Sequence, residues 1–170
     1  DRGDLPFQHY FVRDQCEPVV TGFSFDGISA ARPNREVMRL LQQKAFATVV
    51  ICPSNPFVSV DPILQLSGLW LALRESPAPV VVVSPIVAGH AIKGPAAKMM
   101  AELGLEVSAL EVARHYTRRY PGLMDRFVID DSDATMAGAI RELGVEVAVT
   151  GTVMKSRADK QALARFALQL

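Results

Sequence analysis

The chain is short of several things, and each shortage narrows its chemistry. It has no net charge, since 18 Lys and Arg balance 18 Asp and Glu over 170 residues. That removes the broad attraction that nucleic acid or an anionic membrane would need, so neither is expected as a partner, and any anion must be gripped locally. No apolar run approaches the roughly 20 residues of a membrane span, and no secretory pattern opens the chain. Cysteine is scarce: Cys16 and Cys52 stand in no metal-ligand spacing and read as reduced thiols of a cytoplasmic protein. The GxSxG elbow, the GxxxxGK[ST] loop and the HExxH helix are all missing. Hydrolase, P-loop and zinc-peptidase readings lose their usual support. Internal repeats and low-complexity tracts are missing as well.

What is present suits one domain. A chain of this length, 49% hydrophobic, buries roughly 70% of its unfolded surface. It opens with Asp1-Arg2-Gly3-Asp4 and no initiating methionine, and it is expected to be a piece of something longer. Residues 1–36 mix polarities around Gly22, Gly27 and Pro33. They predict short strands and turns, a small irregular or helical lobe or an insertion.

From 37 to 170 the pattern becomes regular. A helix is expected over 35–44, with Val37, Leu40 and Leu41 on one stripe. Strands follow at 47–52, 80–84, 127–129 and 145–149, with almost no polar alternation. Between and after them come helices at 62–75, 95–103, 108–120, 133–143 and 160–170. Apolar strands joined by helices predict an α/β fold, Rossmann-like, with a mostly parallel sheet and helices on both faces.

In such sheets ligands bind beyond the carboxyl ends of the strands. The four strands empty into loops that carry Ser54, Asn55, Pro56 and Ser59; Ser84, Pro85, Gly89, Lys93 and Gly94; Asp130, Asp131 and Asp133; and Thr150, Thr152 and Lys155. Serine, threonine and asparagine supply hydrogen bonds, glycine admits a close backbone approach, and lysine offsets phosphate charge. Either lysine is otherwise a solvated surface charge; their place on the ligand edge favours a phosphorylated ligand. Asp130, at a strand end, is the carboxylate placed to face a ligand or Mg2+. Its neighbours Asp131, Ser132 and Asp133 suit a helix cap instead. Among the histidines, His90 lies in the glycine-lysine loop, His115 reads as a surface or packed residue, and His9 falls in the irregular zone.

These loops resemble a known family. Ser54-Asn55-Pro56 with Ser59 and Pro62-Ile63-Leu64 resembles the SNPxxSxxPIL segment of the CofD family, the 2-phospho-L-lactate transferases of coenzyme F-420 biosynthesis. Ser84-Pro85-Ile86, Gly89 and Lys93-Gly94-Pro95-Ala96 are similar to that family's SPIxxGxxxKGPA segment. Val128-Ile129-Asp130 and Thr150-Gly151-Thr152 continue the likeness, which runs from about Phe7 to the end.

The resemblance implies a Rossmann-like domain with a smaller, largely helical lobe. It implies transfer of a phospholactyl group from a guanosine-diphosphate-linked donor to the ribityl hydroxyl of the deazaflavin Fo, releasing GMP. Some members use a phosphoenolpyruvyl or phosphoglyceryl donor. Mg2+ is the implied cofactor, and a homodimer the expected assembly. The family's glycine-rich first βα turn and early acidic residues have no counterpart here, so the resemblance assigns these residues to the C-terminal half. Where the family usually has Asp between the two threonines of the last loop, this chain has Gly151. The rival reading is a non-catalytic nucleotide-sugar-binding regulator of the same superfamily.

Overall fold

The computed structural model describes residues 3–170. Four parallel strands build the sheet: β1 (Val49–Ile51), β2 (Val80–Val83), β5 (Arg126–Ile129) and β6 (Glu146–Val149), in the spatial order β1-β2-β5-β6. A separate two-stranded antiparallel hairpin holds β3 (Ile86–Val87) and β4 (His90–Ala91). The helices are α1 (Arg35–Gln42), α2 (Asp61–Leu64), α3 (Leu69–Glu75), α4 (Ala96–Glu102), α5 (Ala109–Arg119), α6 (Ala137–Arg141) and α7 (Arg157–Gln169).

The all-valine strand β2 shows why the sheet is two-sided. Successive side chains of a strand point to opposite faces. Val80 and Val82 join the larger core with Leu73, Met99, Tyr116, Phe127 and Ile129. Val81 and Val83 face the other way, against Val128 and the Leu163 and Ala167 stripe of α7. With both faces covered, a hydrophobic alternation would have nothing to gain, and the strand carries none.

Local chemistry sets the element ends. Ser108 caps α5 through the amide of Glu111 at 3.1 Å, and Gly104 leaves α4 at φ +71°, where glycine carries no Cβ penalty. Ser156 and Asp159 form a reciprocal capping box. That box starts α7 at Arg157, three residues before the start that periodicity alone predicts.

Other expectations need correction. The helix expected over 62–75 is two helical pieces meeting at an 80° bend, because Gly68 turns left-handed at φ +79°. The helix expected over 133–143 begins as a 3-10 turn, Asp131–Met136, before α6. The glycine-lysine loop contains the β3–β4 hairpin. The short strands expected before residue 36 do not form among the described residues; that zone holds a π-helical turn at His9–Arg13, and from there to α1 only turns and irregular chain. It packs on α4, where Glu102 accepts the amide of Val20 at 3.0 Å and Lys98 donates to the carbonyl of Pro18 at 3.0 Å. Among the described residues, no single helix is long and apolar enough to cross a membrane.

Candidate ligand site at the carboxyl edge of the sheet

Because the strands are parallel, the chain leaves all four at one edge, and the predicted loops gather there. The side chains divide into those that build the edge and those left free to meet a ligand.

Asn55 builds. Its Oδ1 accepts the amides of Phe57 and Val58 at 3.0 and 3.4 Å, capping the π-helical turn Pro56–Val60, and its Nδ2 donates to the sulfur of Met99 at 3.2 Å. Pro56 occupies the first position of that turn, where its missing N–H costs nothing. Ser84 also builds: it is buried, its hydroxyl donating to the carbonyl of Ile86 at 2.9 Å and accepting the Ile86 amide at 3.2 Å. Thus the Ser84-Pro85 step turns β2 into the hairpin.

Asp130 sits where its strand ends. One oxygen accepts the Ser132 amide at 3.1 Å; the other accepts the amide and hydroxyl of Thr152 at 2.7 and 3.1 Å. Burial pushes this carboxyl up, but the Thr152 and Ser132 donors outweigh it and hold it below the usual carboxylate range. A carboxylate offers about four lone-pair positions, so Asp130 keeps about one for an outside partner. Asp130, not its neighbours, is the residue that caps the following turn. Thr152 is buried by this bond.

Asp133, also buried, accepts the Ala88 amide with both oxygens. Ala88 is held at φ +47° and Gly89 at φ +75°, a turn that suits glycine and strains alanine. The hairpin tip is therefore tied to the loop after β5.

The remaining predicted residues face outward. Lys93, Gly94, Ser59 and Lys155 are exposed, and Ser54, Pro85, Gly89 and Thr150 are half-buried. Asp131 is exposed, and a Cβ placed on Gly151 would lie 3.7 Å from its Oδ2. An acidic side chain at 151 would meet Asp131 directly. His90 is exposed on the hairpin and His9 on the N-terminal turn.

Sequence reasoning missed one cluster. Asp61 is buried and its carboxylate gathers His115 Nε2 at 3.0 Å, the Tyr120 hydroxyl at 3.0 Å and Arg119 Nε at 3.2 Å. Burial chiefly raises Tyr120, to about 12; the Arg119 bond opposes the shift and Asp61 adds to it. Phe57 meets the His115 ring edge-on at 5.0 Å. The cluster therefore clamps the turn after Asn55 to α5. Its partners lie 54 and 59 positions apart, and no local pattern announces such a pair.

The sequence pattern of the 2-phospho-L-lactate transferase CofD family matches residues 1–162. The chain belongs to the CofD family. Relatives named 2-phospho-L-lactate transferase include that of Methanothermobacter thermautotrophicus, 35% identical over 99% of this chain and 51% of its own length. That of Methanosarcina acetivorans is 33% identical over 99% of this chain and 52% of its own length. That of Halobacterium salinarum is 36% identical over 96% and 44%. The chain thus spans about half the length of these CofD relatives and matches their C-terminal half. Among solved structures, a UPF0052 family protein from Bacillus halodurans superposes with a TM-score of 0.54 over 79% of this chain and 46% of its own. At 16% identity that likeness shows the α/β fold alone.

Proposed function

We propose that this chain forms the C-terminal, ligand-facing part of a phospholactate transferase. Its donor is guanosine-diphosphate-linked, carrying a phospholactyl, phosphoenolpyruvyl or phosphoglyceryl group. Its acceptor is the ribityl hydroxyl of the deazaflavin Fo. The hydroxyl oxygen bonds to the phosphorus that bears the acyl group, the bond from that phosphorus to GMP breaks, and the hydroxyl proton is released. The observation that supports this most is the family match over residues 1–162, joined to a sheet edge that presents two exposed lysines.

The edge residues would work by position and charge. Lys93 and Lys155 would offset the diphosphate, whose charge grows on the departing GMP; electrostatic aid at developing charge is commonly a large part of such catalysis. Ser54, Ser59 and Thr150 would hydrogen-bond the ligand, and the backbone at Gly89 and Gly94 would let it come close. Asn55, Ser84, Asp130 and Thr152 would hold these groups in register, which fixes the reacting atoms.

Among the described residues, no cluster of three metal-binding side chains exists. Mg2+ needs none, since it is usually held by one or two carboxylates together with phosphate and water. Exposed Asp131, and the position left on Asp130, fit that donor set. There Mg2+ would neutralise diphosphate charge. We place the protein in the cytoplasm and expect it to act as a homodimer.

The test is direct. Full-length protein is incubated with Fo, Mg2+ and each candidate donor, and the product is weighed. One acyl-phosphoryl adduct of Fo is expected. Tight donor binding without any adduct would instead fit a nucleotide-sugar-binding regulator.

A further inference from the structure

The two serines that the transferase reading turns toward the ligand depend on one turn. Ser54 precedes Pro56–Val60 and Ser59 belongs to it. That turn is π-helical, a geometry that is rare, limited to single turns and frequent at functional sites. Its two ends are each set by one residue. Asn55 caps the start, accepting the Phe57 and Val58 amides on its side chain, and the Asp61 amide closes the turn on the carbonyl of Pro56.

His115, from α5, touches both ends. Its Nε2 lies 3.0 Å from Asp61 Oδ1, and its ring meets the Phe57 ring edge-on at 5.0 Å and 76°. Tyr116 packs edge-on against the imidazole at 5.6 Å. A carboxylate only accepts, so Nε2 carries the proton of this bond. Arg119 and the Tyr120 hydroxyl already supply donors to Asp61. The carboxylate is therefore not left bare without His115. What His115 adds is a link from Asp61, where the turn closes, to Phe57, near where it starts.

We propose that His115 is a positioning residue, which through Asp61 and Phe57 holds the Pro56–Val60 turn in the one form that aims Ser54 and Ser59 at the ligand. The proposal rests on the transferase reading for what the turn meets. It makes a kinetic distinction that a stabilising role does not. When only a fraction of the protein holds the turn in its competent form, apparent affinity falls by that fraction. Saturating ligand draws the rest across, so KM rises while kcat holds. Loss of folded protein does the opposite: it removes active enzyme, lowering apparent kcat and leaving KM alone.

Three variants of full-length protein test this. His115→Ala removes donor and ring, His115→Phe keeps a ring without the donor, and His115→Gln keeps an N–H at similar reach without the ring. Melting confirms that each is folded at the assay temperature. Amide exchange at residues 57–60 is expected to quicken about fivefold in His115→Ala and His115→Phe, the effect of one lost hydrogen bond of about 1 kcal/mol on a local opening. Exchange in β2 should stay unchanged. KM for at least one substrate should rise about threefold or more in the same two variants, with kcat within twofold of the parent. His115→Gln should restore both readouts to within about twofold.

Parent-like exchange at 57–60 together with parent-like KM in folded His115→Ala would overturn the proposal. So would a fall in kcat at constant KM, the mark of a merely structural residue, or a His115→Gln variant as impaired as His115→Ala. The two readings fail separately. Product formation with KM and exchange untouched by every variant sinks the clamp and spares the transferase. Exchange that quickens and is rescued by Gln, in a protein that forms no product with any donor, keeps the clamp and sinks the transferase.

Discussion

Asp133 reaches back 45 positions to accept the Ala88 amide on both carboxylate oxygens, at 3.2 and 3.1 Å. The bond fixes a hairpin tip in a conformation that alanine resists, φ +47°. Asp133→Ala removes the acceptor of the part-buried Ala88 amide and should destabilise the protein by about 1 kcal/mol. Hydrogen exchange at Ala88 should quicken more than in β2. Urea unfolding and amide exchange measure both.

Ala88→Gly should run against the usual direction. Glycine normally weakens a fold, but here it relieves a left-handed residue, so stability should hold or rise by up to about 1 kcal/mol. A loss above that size, with the hairpin intact, would mean that the Ala88 backbone is unstrained.

Asp130 predicts an acid limb. Its carboxyl is held below its ordinary value of 3.8. Its stabilising contribution is therefore fully present above that unfolded value, and is lost as pH falls through the lower folded one. Asp130→Asn should flatten this part of the stability curve below about pH 4. Melting temperature against pH, parent beside variant, is the measurement. Equal slopes would contradict the assignment.

Two serine-and-lysine comparisons separate building from binding. Ser84→Ala breaks a buried turn and should cost about 1 kcal/mol of stability. Lys93→Ala and Lys155→Ala remove exposed charges; each should leave the melting temperature alone and weaken the diphosphoguanosine donor by several-fold in full-length protein, as loss of a charge-assisted contact does. Calorimetric titration at fixed salt distinguishes them.

Asp61→Ala strips an acceptor from His115, Tyr120 and Arg119 at once. Arg119 is half exposed and water replaces part of its loss. The buried groups cannot recover so easily, and a cost of about 2 kcal/mol is expected, read by urea unfolding.

These contrasts show what was legible before folding. The strands, their parallel direction and the edge where the loops leave follow from apolar runs between helical stretches, and the four strands do run parallel. The exposure of Lys93 and Lys155 was readable because a long charged side chain in an edge loop has nowhere else to go. Asn55, Ser84 and Asp130 were not. In sequence a polar residue after a strand looks the same whether it bonds a ligand or its own backbone two residues on, and here all three turn inward. The break at Gly68 hid inside a run of leucines whose periodicity continues across it. The Asp61 clamp depends on pairs brought together only by the completed fold.

The most direct test of the central claim is hydrogen exchange across the full-length protein, with and without the diphosphoguanosine donor. Protection should concentrate at 53–59, 88–94 and 150–155, the loops at the carboxyl edge, while the amino ends of the same strands stay unchanged. Protection confined to the opposite edge, or to the outer face of α7, would contradict the account.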